Sequence, residues 1–107
     1  MNNQIESRRL QLSEILHEII GNENVYFQPP ESLKMSYPCI RYQRSSGDSI
    51  PADNLKYVRR LGYEIMVISR NPSEPAVELI PEMFQYCNEG RHYTADGLNH
   101  DVFYIYW

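Results

Sequence analysis

The sequence predicts an α+β domain: a mainly antiparallel β-sheet, two α-helices packed on one face, and a long protruding hairpin. Three observations carry that expectation. Residues 4–20 repeat Leu12, Ile15, Leu16, Ile19 and Ile20 at three- and four-residue spacing, as an amphipathic helix does. Several later segments alternate apolar and polar residues between turn signals, as strands do. The order is helix, short strand, strand, strand, helix, strand, strand. Sequential strands joined by turns favour antiparallel pairing with the helices to one side. At 107 residues the chain is long enough for one hydrophobic core, so 1–107 reads as a single domain.

The first helix has Glu6, Arg8, Arg9, Glu14 and Glu18 away from its apolar stripe, and Gly21-Asn22 as its stop. Val25-Tyr26-Phe27 is a short extended piece ahead of Pro29-Pro30. Prolines cannot donate to a sheet, so this piece belongs at an edge or leads into a loop. The second strand begins after Pro38 and runs to Arg44. A polar loop with Gly47-Asp48 and Pro51 follows, then a long strand from Lys56 to Arg70 interrupted by Gly62. Residues 57–69 extended would span about 43 Å, more than a domain this size needs, so Gly62 is expected to mark a bulge or bend. Beyond it both faces of the strand are apolar, which predicts a central position with packing on each side.

A second helix is expected from Glu74 to Asn88, with Pro75 in its first turn and Pro81 as a kink or restart. Its inner face would be Val77, Ile80, Phe84 and Cys87. Glu74, Glu78 and Glu82 form an acidic strip at four-residue spacing, where like charges repel slightly. Glu89-Gly90 would end it, followed by a strand at Arg91–Thr94, a turn at Asp96-Gly97 and a last strand from Asp101 to Trp107. A tryptophan at that position calls for cover by its own fold or by a neighbour.

The formal net charge of −4 argues against a general nucleic-acid binder. The charge is unevenly placed. Residues 41–70 carry six basic groups (Arg41, Arg44, Lys56, Arg59, Arg60, Arg70) against three acidic ones. Residues 71–107 carry one basic group, Arg91, against six acidic ones. One reading is a solvated surface with chance clustering; the other is a pair of complementary faces. Cys39 and Cys87 suit small core positions in a reducing cytoplasm, without a disulfide. The start of the chain shows no signal-peptide pattern, and no apolar run approaches the roughly 20 residues that span a bilayer.

No constellation reads as catalytic. His92, Asp96, His100 and Asp101 could place two imidazoles and carboxylates near one hairpin, but the spacing matches no established zinc or hydrolase pattern. Asp96-Gly97 and Asn99 have an adequate role as turn formers. Cys39 with His100 could be drawn as thiol and base, but a thiol in an apolar strand is normally inert. The expectation is no enzyme, no metal and no cofactor. The basic hairpin with Tyr42 and Tyr57 superficially fits single-stranded nucleic acid. The acidic remainder of the chain favours a protein-binding arm.

Four features together resemble the tail terminator proteins of long-tailed bacteriophages, also called tail completion or minor capsid proteins. They are the amphipathic first helix; Met35-Ser36-Tyr37-Pro38-Cys39-Ile40-Arg41-Tyr42; Ala52-Asp53-Asn54 with Tyr57 and the strand Tyr63 to Arg70 before Asn71-Pro72; and Leu98 to Tyr106. The resemblance implies an α+β domain forming a homo-oligomeric ring, of six subunits, at the head-proximal end of the tail tube. Its partners would be itself, the tail tube protein and a head-completion or neck protein. It implies no membrane and no specific nucleic-acid binding, though the genome may pass through the ring. The place would be the virion tail or neck, and the host cytoplasm during assembly. No catalytic residue carries over. By position, ring and tube contacts fall on the Arg44 to Arg60 segment, with Arg44, Asp53, Lys56, Arg59 and Arg60 as interface residues. The charge split adds Glu74, Glu78 and Glu82 as the opposing surface, and Trp107 as apolar contact. Alternatives are another neck protein (head closure or connector), a small cytoplasmic metal-binding or enzymatic domain using His92 and His100, and a regulatory adaptor.

Overall fold

A computed structural model describes residues 4–45 and 60–107. Their elements run α1 (Gln4–Ile20), β1 (Val25–Phe27), β2 (Cys39–Arg44), β3 (Gly62–Ser69), α2 (Pro75–Met83), β4 (Cys87–Ala95) and β5 (Leu98–Tyr106). The strands form one sheet in the order β1-β2-β3-β5-β4. All neighbours pair antiparallel except β1 and β2, which run parallel with Val25 opposite Ile40. The fold is α+β.

The core follows from strand alternation. Ile40 and Tyr42 of β2, Tyr63, Ile65 and Val67 of β3, and Phe103 and Ile105 of β5 are alternate residues on one side of the sheet. They share a buried cluster with Leu12, Leu16 and Ile19 of α1 and with Ala76 and Ile80 of α2. Leu12, Leu16 and Ile80 are completely buried, each stabilising the fold by about 2 kcal/mol. The other side of β3 is also covered, in part. Cys39, Ile68 and Leu98 form a second cluster, with Tyr26, Met35, Tyr37 and Met66 packed against it. β3 is thus central and packed on both sides.

Several expected boundaries move. The helix expected over Glu74–Asn88 is only Pro75–Met83. Pro81 removes one N–H from the ladder, and Phe84 is already extended at φ −115°, ψ 128°. Cys87 therefore sits on a strand rather than a helix; it still meets the core, opposite Ile105, from the sheet side. β4 begins at Cys87, not Arg91, and runs through Gly90 with a register shift between Glu89 and His92. β5 begins at Leu98 rather than Asp101. β1 is an edge strand, as expected, but its parallel pairing departs from sequential antiparallel order. The segment between Phe27 and Cys39 is long enough to bring the chain back in the same direction. Gly62 opens β3 instead of bending a longer strand, and its carbonyl accepts the Ser45 N–H at 2.9 Å. The tip of the expected hairpin, residues 46–59, lies outside the described residues.

Candidate functional site

The described interface residues fall into two sets. Arg44 is exposed at the end of β2. Arg60 precedes β3 and lays its guanidinium 4.9 Å from the centre of the Tyr86 ring. Asp53, Lys56 and Arg59 lie outside the described residues. On the acidic side, Glu78 and Glu82 are exposed on α2, while Glu74 is half-buried at the N-cap. Trp107 is partly buried by its own fold. Its indole N–H donates to the Arg8 carbonyl at 2.6 Å, and its ring meets Phe84 edge-on with centroids 6.0 Å apart.

The structure adds two arginines that the sequence reading placed merely on the outer side of α1. Arg9 is half-buried; its guanidinium lies 4.4 Å over the Phe27 ring and donates to the Tyr42 hydroxyl at 3.4 Å. Arg8 lies 5.1 Å over the Trp107 ring. The signal for Arg9 was present. It stands three residues before Leu12 and seven before Leu16, on the edge of the same helical face. Arg44, Arg9 and Arg8 all act on the buried Tyr63 phenol. Burial raises its pKa above the ordinary value, and these three guanidiniums pull it back. The basic surface is thus assembled from α1, the end of β2 and the approach to β3.

The two sets are only partly separated, since α1 and α2 pack against each other and Arg60 stacks on Tyr86 just ahead of β4. Besides packing on each other, α1 lies against β1 and β2 and α2 against β4. These strands occupy opposite ends of β1-β2-β3-β5-β4. Between them, an apolar cavity of about 140 Å³ is lined by Gln4, Ile5, Arg8, Leu61, Tyr63 and Trp107. A larger groove of about 320 Å³ runs past Tyr37, Arg70 and Glu74, with one charge of each sign in its wall.

The histidine constellation separates. His92 Nδ1 and Asp101 Oδ1 are 2.8 Å apart, an ion pair when the imidazole is protonated. The neighbouring pair, Tyr93 and His100, stacks at 4.6 Å with rings 7° apart. Successive strand residues face opposite sides, so the two imidazoles do not converge. Among the described residues no three His, Cys, Asp or Glu side chains group to hold a metal ion. Burial pushes the Cys39 thiol up to about 11, which keeps it protonated and unreactive near neutrality. Among the described residues no helix is long and apolar enough to cross a membrane.

The fold and these surfaces define a small α+β protein with Arg8, Arg9 and Arg44 on α1 and β2 and the exposed Glu78 and Glu82 on α2. No family model, curated protein or solved structure matches the chain.

Proposed function

We propose that this chain is a structural virion protein that caps the head-proximal end of a phage tail tube as a ring. The ring ends tube growth and offers the surface to which the head is joined. Its partners are further copies of itself, six in all, the tail tube protein and a head-completion or neck protein. The role needs no catalytic residue and no cofactor. By the resemblance, ring and tube contacts fall on the segment between Arg44 and Arg60.

The observation that carries this reading is the separation of charge. A ring needs two unlike surfaces on each subunit. Arg8, Arg9 and Arg44 lie on α1 and β2, while Glu78 and Glu82 lie exposed on α2, which packs between α1 and β4. A second support is where the resemblance falls. The segments Met35–Tyr42, Tyr63–Arg70 and Leu98–Tyr106 contribute β2, β3 and β5, the three middle strands.

Electron microscopy of the protein mixed with purified tail tubes tests the function. Tubes should acquire a cap at one end and stop growing. Tubes that stay uncapped would refute the reading. Changing Arg59 and Arg60 to Glu should weaken ring formation, and changing Glu78 and Glu82 to Lys in the same chain should restore part of it.

A further inference from the structure

We propose that the cavity beside Ile5 and Trp107 is a socket for the Leu79–Met83 ridge of a second copy of this chain. The inference rests on the head-to-tail reading above and names its contact. Ile5 lies seven and eleven residues before Leu12 and Leu16, hence on the same face of α1. Those two are fully buried, yet Ile5 is 49% exposed. The core-facing stripe of α1 therefore continues past its cover, and the 140 Å³ cavity opens there. An apolar cavity of about 150 Å³ accepts a group the size of benzene. One Met or Leu side chain is of that order.

The complementary surface is on α2. Leu79 and Met83 are 36% and 49% exposed and stand four residues apart, on one ridge of the helix. Glu78 and Glu82 form the adjoining ridge, also exposed. A methionine at the centre of such a ridge adapts to an irregular socket. The socket in turn has Arg8 in its wall, with Arg9 and Arg44 acting on the same Tyr63 phenol. None of these three arginines forms an ion pair with a carboxylate among the described residues. An apolar ridge flanked by carboxylates thus meets an apolar hole flanked by guanidiniums. The chain's net charge of −4 makes a nucleic-acid occupant less fitting than another copy's acidic helix.

The ridge does not fill its own chain's socket. Phe84, next in sequence, is buried against Trp107, while Met83 stays exposed. Because ridge and socket are different surfaces, each bound pair leaves one of each free, and assembly proceeds beyond a dimer.

Trp107 is the only tryptophan in the chain and forms part of the socket wall, so its fluorescence reads occupancy directly. As protein concentration rises, emission should shift to shorter wavelength and acrylamide quenching should fall, in step with mass measured by sedimentation. Met83→Glu and Ile5→Glu, both at exposed sites, should each weaken association about tenfold or more while leaving circular dichroism unchanged. An equal mixture of the two variants retains one intact ridge and one intact socket per pair. It should form dimers and nothing larger. A wild-type chain that stays monomeric at every concentration overturns the proposal, as does an oligomer that either variant leaves intact. A Trp107 signal unchanged on assembly also overturns it, since another surface or another segment then fills the contact. Tube capping decides the two readings separately: capping by Met83→Glu at wild-type efficiency removes the socket but keeps the function. Socket-dependent oligomers that leave tubes uncapped remove the function but keep the socket.

Discussion

Gly90→Ala should destabilise the protein, and the structure fixes the sign. Gly90 lies in β4 inside the register shift between Glu89 and His92. A Cβ there would stand 2.8 Å from the Val102 carbonyl oxygen, 2.9 Å from Tyr104 Cε2 and 3.2 Å from Val102 Cγ1. Two terms compete. Replacing glycine reduces the freedom of the unfolded chain, which stabilises by about 0.4–1 kcal/mol where the site accepts a side chain. Forcing a methyl into occupied space costs about 1–3 kcal/mol. The Tyr104 ring is 40% exposed and can swing away, but the Val102 carbonyl belongs to β5 and moves only if the strand pair deforms. The steric term wins, for a net loss of about 1–2 kcal/mol. Urea unfolding followed by Trp107 fluorescence measures it. Adding Tyr104→Ala should recover little, because the backbone oxygen remains. A neutral or stabilised Gly90→Ala, or full recovery with Tyr104→Ala, would refute the argument.

Two further outcomes follow from burial. Leu16→Ala removes a completely buried side chain between α1 and the sheet and should cost about 2–5 kcal/mol, whereas Leu10→Ala, at a half-exposed site, should stay within about 0.5 kcal/mol; equal effects in denaturant unfolding would show that the α1 stripe is not core. Cys39 has its thiol raised from 9.0 to about 11 by burial, so the folded state holds its proton more tightly than the unfolded state. Its contribution is therefore fully present below pH 9 and is lost as pH rises through the folded value, with a slope of at most about 1.4 kcal/mol per pH unit between the two. Cys39→Ala should flatten that alkaline limb, and iodoacetamide at pH 8 should label Cys39 in urea but not in the native protein.

The elements most legible in the sequence are those with one uninterrupted pattern. The α1 stripe and its Gly21 stop mark the helix and its C-terminal end, and Gly21 indeed takes a positive φ of 75°. β2 was bounded by Pro38 and the polar loop after Arg44. Legibility fails where one residue supports two patterns. Cys87 falls at helical spacing from Ile80 and Phe84, yet it reaches the core as a strand residue opposite Ile105. Gly90 looks like a helix stop, but its backbone need is space beside Val102 and not a left-handed turn. The candidate surfaces divide similarly. The exposed Glu78 and Glu82 follow from helical spacing alone. Arg8 and Arg9 join Arg44 only because the sheet brings β1 and β2 under α1, a long-range arrangement that no local pattern carries.

The way the arginines are held explains why the basic surface stays basic. Five guanidiniums lie over aromatic rings: Arg8 on Trp107, Arg9 on Phe27, Arg60 on Tyr86, Arg70 on Tyr37 and Arg91 on Tyr93. Each guanidinium lies within about 6 Å of its ring centroid, the range in which the ring quadrupole attracts a cation. By contrast, the described residues contain one ion pair, His92 with Asp101. The two ways of holding an arginine differ in what remains. A carboxylate partner fixes the side chain and cancels its charge. An aromatic face fixes it for about 0.5–1 kcal/mol at an exposed site and leaves the charge and most N–H donors available. Arg8 and Arg9 are therefore held in place by the fold itself, and the proposed contact would cost them less rotamer entropy. The exposed Glu78 and Glu82 of α2 likewise form no ion pair among the described residues. The proposed head-to-tail contact would draw on these two sets of charges, neither of which is paired with the other among the described residues.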